Sequence, residues 1–139
     1  MVTVELARPA DNGFIHLLHD EAFGDMTVDD YLKWINERGR RVYVIKLGDD
    51  RVGFVMIRLG RESVTICKIA VNPHHRRKGC GSAAIKLIAA KYSKEFIRAE
   101  CQSPSVETQD FFRSTGMKCR TILLRLFVYQ CENKERAKR

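Results

Sequence analysis

The chain has no apolar run near the ~18 residues that a membrane-spanning helix needs, so no membrane partner is expected. Its opening, Met1-Val2-Thr3-Val4-Glu5-Leu6-Ala7-Arg8, lacks the charged-then-apolar order of a secretory leader. The five cysteines (67, 80, 101, 119 and 131) are odd in number and widely spaced. They lack the paired spacing of a zinc site, so no metal and no disulfide framework is expected, and the thiols fit a reducing, cytoplasmic compartment. No repeat, linker or low-complexity stretch divides the 139 residues. One domain over residues 1–131 is expected, followed by a charged tail over 132–139.

Acid is the scarcer charge, with 17 Asp and Glu against 25 Lys and Arg, a net +8 with neutral His. Such a balance raises nucleic-acid binding as a rival. The cations are scattered, however, apart from Arg38–Arg41, Arg76–Lys78 and Lys134–Arg139, and aromatics do not interleave with them. A nucleic-acid partner is therefore not expected.

What is present is concentrated after the apolar run Ile66–Val71. Pro73 stops that run, the cations Arg76, Arg77 and Lys78 follow, then Gly79-Cys80-Gly81, and a helical pattern opens at Ser82. A strand, a basic glycine loop and a helix start form a receptor for a polyanion such as a pyrophosphate. Glycine lets bare amides approach the ligand, and the helix N-terminus and the cations supply positive charge. A P-loop is excluded, because no Gly-Lys-Ser/Thr follows an earlier glycine. A dinucleotide fingerprint, Gly79-x-Gly81-x-x-Ala84 with Glu100 downstream, is matched loosely, but Pro73 and five further residues separate strand from glycine. His74 and His75 read as a solvated turn, His16 and His19 as surface or core positions on a helix. Cys80 sits between the loop glycines without the signature of a nucleophile.

Arg76-Arg77-Lys78-Gly79-Cys80-Gly81 resembles the acetyl-CoA-binding motif Arg/Gln-x-x-Gly-x-Gly/Ala of the GNAT family of N-acetyltransferases. Hydrophobic periodicity places elements in the order β-α-α-β-β-β-α-β-α-β, which fits that family along almost the whole chain. The helices are expected at Phe14, Leu17, Leu18 and Phe23, at Tyr31, Trp34 and Ile35 behind a Thr27 cap, at Ser82–Lys91 and at Val106–Ser114. The implied fold is α/β (α+β), a mixed, mostly antiparallel sheet with helices on both faces. Between Met117 and Cys131 there is no Gly, Pro, Asn or Asp. One long strand, or two joined by a bend, is therefore expected; a missing seventh strand would leave a C-terminal edge that a partner subunit could cover, so a monomer or a homodimer is expected.

The resemblance implies the roles. Ile69, Ala70 and Val71 would present backbone amides to the thioester arm of acetyl-CoA, with Val71 N–H as oxyanion donor. Arg76, Arg77, Lys78, Gly79, Cys80, Gly81 and Ser82 would hold the pyrophosphate. Glu100 stands twelve residues before Phe112, the spacing of the base in the ribosomal-protein N-terminal acetyltransferase (RimI-like) branch. An ion pair of Glu100 with a neighbour such as Arg98 or Lys118 is the rival reading. A carboxylate base at ~4.3 lies ~6 units below a lysine amine but only ~3.5 below an α-amine, which favours a peptide N-terminus or small amine as acceptor. The family's tyrosine and asparagine positions hold Phe112 and Ser105. Tyr129 or water could supply the missing proton, and a non-catalytic CoA-binding regulator is the alternative function.

Overall fold

The computed structural model describes residues 1–136. Its elements are β1 (Val2–Leu6), α1 (Asn12–Phe23), α2 (Val28–Asn36), β2 (Arg40–Leu47), β3 (Asp50–Leu59), β4 (Ser63–Val71), α3 (Cys80–Lys91), β5 (Phe96–Gln102), α4 (Val106–Ser114), β6 (Lys118–Leu123) and β7 (Leu126–Glu132). The strands form one sheet in the order β1-β2-β3-β4-β5-β7-β6. Every neighbouring pair is antiparallel except β4 with β5.

Both faces of the central strands are covered, which is why Val52–Ile57 is almost wholly apolar and not alternating. Phe54 and Met56 pack with Val42, Val44, Ile15, Leu18 and Tyr31 beneath α1 and α2. Val55 and Ile57 point the other way, to Ile45, Ile66, Ala84, Ile88 and Phe112 beneath α3 and α4. Each fully buried aliphatic side chain of this kind stabilises the fold by ~1.5–3 kcal/mol relative to exposure.

Two expectations are corrected. On α1 the inward residues are Ile15, Leu18 and His19, while Leu17 is 76% exposed and Phe23 46%; the helix is rotated to seat Ile15 between the strands. After α4 the chain forms two strands and not one long strand, so only the single-strand alternative is set aside. Leu123 pairs with Leu126 across the two-residue turn Leu124-Arg125. Leu124 takes φ 54°, which costs a non-glycine residue roughly 1–2 kcal/mol. The ladder along all of β7 with β5, from Phe96–Glu132 to Gln102–Leu126, offsets that strain. Turn formers are unnecessary where tertiary pairing is this extensive.

Ordered structure continues past Cys131. Asn133 is buried, and its Nδ2 donates to the carbonyls of Ala89 and Tyr92 at 3.2 and 3.1 Å, satisfying the C-terminal turn of α3. Residues 137–139 of the expected tail lie outside the described residues.

The turn before α1 is tied to the β2–β3 hairpin through Asp11, 3% exposed. Its carboxylate accepts from the Arg8 amide and from Arg51 Nε, each at 2.8 Å. Burial alone would raise its pKa, but the Arg8 amide and the Arg51 guanidinium outweigh that and hold it below the ordinary aspartate value. A depressed folded value means the stabilisation is fully present above the unfolded ~3.9 and disappears as pH falls through the folded value. Asp11→Asn is expected to lower unfolding free energy at neutral pH by about 1.5–3 kcal/mol. The difference from wild type should narrow below pH ~4 in denaturant melts. A gap unchanged down to acid unfolding would show that the charge of Asp11 contributes nothing.

Candidate active site

The parallel pairing of β4 with β5 lasts only from Ser63–Phe96 to Ile66–Ala99. Beyond it β4 follows β3, while Glu100, Cys101 and Gln102 follow β7. A bulge marks the parting. Met56 opposes Lys68 but Ile57 opposes Ile66, so Cys67 is an extra residue in β4, and such a residue bends and twists its strand.

The ladder fixes which amides are free. Asn72 N–H donates to Val52 C=O at 2.7 Å, so by alternation Ala70 and Lys68 turn their backbone groups to β3. Ile69 and Val71 turn theirs into the gap. Of the three residues expected to present amides, Ala70 thus spends its own on β3. Gly53, opposite Val71, permits the close approach of the two strands, because a Cβ there would overlap the Ala70 carbonyl oxygen.

At the end of β4 a short 3-10 turn, Pro73–His75, is capped by Asn72, whose Oδ1 accepts from the His74 amide at 2.9 Å. Arg76 Nε donates back to the Val71 carbonyl at 2.9 Å, fastening the loop to the strand. Arg77 (φ 63°) and Gly79 (φ 77°) are both left-handed. Helix α3 starts at Cys80, and its first internal bond runs from Ala83 N–H to Gly79 C=O. The N-termini of α2 and α4 are capped by the hydroxyls of Thr27 and Ser105, but that of α3 has no side-chain cap. The amides of Cys80, Gly81 and Ser82 are therefore left without helical partners. A Cβ at Gly81 would stand 3.1 Å from the Phe111 ring, so glycine here lets α3 and α4 converge.

These parts line one cleft of about 810 Å³. Ile69, Ala70, Val71, Arg76, Arg77, Gly79, Cys80, Gly81 and Ser82 are all on its wall, whereas Lys78 and Glu100 are not. Phe23 and Glu21 of α1, and Phe111, Phe112, Ser105, Glu107 and Asp110 of the α4 region, are also on it. Because α1 and α4 lie on opposite faces, the cleft passes through the sheet where β4 and β5 separate.

Glu100 points to the α1 face, since its neighbours Ala99 and Cys101 face the α3–α4 core. Its Oε1 accepts from Arg58 at 2.6 Å; the partner is Arg58 of β3, not Arg98 or Lys118. Nearby, Lys68 Nζ bonds His19 Nε2 at 2.7 Å, and His19 Nδ1 donates to Gly24 C=O at 3.1 Å. Those partners set the tautomer: Nδ1 carries the proton and Nε2 accepts. Burial, then the Lys68 charge, pushes the His19 pKa down, and burial lowers that of Lys68. Lys68 Nζ also lies 5.4 Å from the Phe23 ring at the cleft wall.

Phe112, 2% exposed, stacks on Tyr129 with ring centroids 5.4 Å apart. Tyr129 is fully buried, its hydroxyl has no hydrogen-bond partner among the described residues, and it is absent from the cleft wall. It does not replace the missing tyrosine. Ser105 and Thr108 line the cleft, with the Ser105 hydroxyl donating to Thr108 Oγ1 at 3.1 Å. Burial pushes the Cys101 thiol up to about 11 and raises Cys67 and Cys131 too, which keeps them protonated. Arg58 and Lys68 escaped the sequence reading. Lys68 did carry a signal, as the only charge within Val64–Val71.

The sequence model of the acetyltransferase (GNAT) family matches residues 9–117. No curated protein sequence matches the chain. Among solved structures, an acetyltransferase from Thermus thermophilus is similar at TM-score 0.82 and 19% identity, over 95% of this chain and 97% of that one. The ribosomal-protein-S18-alanine N-acetyltransferase of Escherichia coli is similar at TM-score 0.76 and 14% identity, over 95% and 94%. Spermidine N-acetyltransferase from Vibrio cholerae, in complex with CoA and spermine, is similar at TM-score 0.75 and 16% identity, over 98% of both chains.

Gly53→Ala tests whether the geometry of β4 depends on this contact. Repacking strain of ~1–3 kcal/mol is expected in denaturant melts, because the added methyl meets backbone and not a flexible side chain. Wild-type stability would show that β3 and β4 separate at no cost.

Proposed function

The chain belongs to the acetyltransferase (GNAT) family and uses acetyl-CoA to acetylate an amine, and we propose that the acceptor is the α-amine of a peptide N-terminus. The observation that supports acetyl-CoA binding most is the uncapped start of α3 beside the split sheet, while the α-amine is favoured by the smaller proton-affinity gap to a carboxylate base. Three amides without helical partners, two left-handed loop positions and the cations Arg76 and Arg77 share one cleft. Chemically, that set suits a pyrophosphate.

In this reading the pyrophosphate rests on the loop Arg76–Ser82. The pantetheine arm runs along β4, bonding the gap-facing groups of Ile69 and Val71 where β5 would otherwise pair. Val71 N–H lies where it donates to the carbonyl oxygen as negative charge develops on it. The amine nitrogen attacks the thioester carbon, the C–S bond breaks, and the amine proton passes to Glu100, directly or through water. Arg58 holds that carboxylate in place at 2.6 Å. Phe112 has no proton to give, but a free thiol near pKa ~8.5 leaves as thiolate without a dedicated acid. The Ser105 hydroxyl, at the family's asparagine position, is engaged with Thr108 at 3.1 Å.

Arg58 and Lys68 beside Glu100 also disfavour a polycationic acceptor such as a polyamine. The protein acts as a monomer or as a homodimer, the latter through the outer edge at β6, where Ile122 and Leu123 are 56% and 63% exposed.

Thermal-shift titration with acetyl-CoA, CoA and NAD tests the loop. A saturable rise with the first two alone is expected, and it should vanish in Gly81→Glu, which sets a carboxylate against phosphate and a side chain against Phe111. Equal shifts in the variant would remove the loop from the site. Glu100→Gln is expected to lower kcat on N-terminal peptides at least about tenfold, within the range of general-base contributions, with acetyl-CoA affinity unchanged. Undiminished turnover would remove Glu100 from the mechanism. Binding of acetyl-CoA with no release of CoA to any amine would favour the regulator instead.

A further inference from the structure

The strand register aligns one row of side chains across six strands. Arg40 pairs with Arg58, Arg58 with Thr65, Thr65 with Arg98, Arg98 with Gln130, and Gln130 with Lys118. Residues paired across a ladder point to the same face, so four of the six positions put cations on a single line. At ~4.8 Å per strand the line is ~24 Å long. Cross-strand like charges destabilise a sheet unless something offsets them.

The face is that of α1 and α2, because Met56, two residues before Arg58, lies in their core. Those helices stop short, α1 packing on β3 and β4 and α2 on β2. Among the described residues neither helix has its main contacts on β5, β7 or β6. Glu100 stands one row away on β5, and Val128 beside it is buried yet belongs to neither core. The line therefore leads from the candidate base out to the edge strand.

Carboxylates offset only half of it. Arg40 pairs with Glu37 at 3.1 Å and stacks 5.0 Å over Trp34, and Arg58 pairs with Glu100. Arg98 and Lys118 have no carboxylate within ion-pair distance among the described residues, and the buried Arg98 Nε has no hydrogen-bond partner there. Glu132 is the one further acid on this face of β7, two residues outward of Gln130. The unoffset positive charge thus lies on the half of the row beyond α1 and α2, next to Glu100.

We propose that this row binds an acidic segment of the acceptor polypeptide, so that the substrate class is a peptide whose N-terminal residue is followed by aspartate or glutamate. The proposal rests on the reading of Glu100 and the β4–β5 cleft as the acetylation site. An extended peptide carries same-side carboxylates every ~6.6–7 Å, a spacing that long arginine and lysine stems bridge easily. RNA fits less well. No aromatic side chain stands in the row for base stacking, and Glu100 would repel phosphate at its inner end.

The experiment pairs turnover with direct binding. Peptides of the form Ala-(Asp/Glu)3, Ala-(Gln)3 and Ala-(Lys)3, with a common neutral tail, are compared as acceptors at low and high salt. The same fluorescent peptides, and an oligo-uridine of similar charge, are titrated by anisotropy onto CoA-loaded protein. The acidic peptide should exceed the lysine peptide about tenfold in kcat/KM at low salt, an advantage that salt reduces. Lys118→Glu, on the exposed edge, and Arg98→Gln should erase most of that preference while the acetyl-CoA thermal shift is unchanged. Equal use and equal binding of the three peptides would overturn the proposal, as would tighter binding of oligo-uridine lost in the same variants. Row-dependent binding of the acidic peptide without turnover would sink the acetylation reading and leave the acidic partner standing.

Discussion

The rest of the site depends on the release of β4 from β5 after Ile66 and Ala99. A parallel pair that ran its full length would consume the outward backbone groups of Ile69 and Val71 and close the sheet. The extra residue at Cys67 prevents this by turning β4 after the bulge, and Gly53 lets β3 follow it closely. From the same release come the passage between the two faces and the placing of Glu100 on the far side of the gap. The glycine loop begins where the freed strand ends, and Arg76 fastens the two by bonding the Val71 carbonyl.

Much of this was legible in the residue order. The loop announced itself because its requirements are local: a strand stop at Pro73, successive cations, and glycines where α3 must start bare and press on Phe111. Helix α2 was readable from Thr27 for the same reason, since a cap is a short-range bond. The β6–β7 turn was not, because nothing in Leu124-Arg125 favours it and the pairing with β5 imposes it. The rotation of α1 was missed because Leu17 and Phe23 are apolar but face outward, toward solvent and the cleft. The bonds of Glu100 to Arg58 and of Lys68 to His19 join residues more than forty positions apart. No spacing rule reaches that far. Lys68 could have been questioned as a lone charge in an apolar strand; Arg58 could not.

The two faces of the sheet divide the work by dielectric. On the α3–α4 side Phe111, Phe112 and Tyr129 make a dry aromatic stack, and the thiols around it stay protonated. A phenylalanine at position 112 suits that interior well, better than a hydroxyl with no partner would. The opposite side is ionic, with Arg58, Glu100, Lys68 and His19 grouped about the gap. Apolar packing shapes one wall of the cleft while charge lines the approach to the other. A reaction that begins with an ammonium ion and ends with a thiolate crosses between the two.

The free backbone amides of Ile69 and Val71 have a consequence for the purified protein. Unpaired strand groups invite any extended chain to add itself, which is the route to aggregation at open sheet edges. Here they line the cleft between α1 and α4, where the slender arm of a ligand can take the place of a strand. Filling the gap in this way satisfies the seam with one guest and closes it to other copies of the chain.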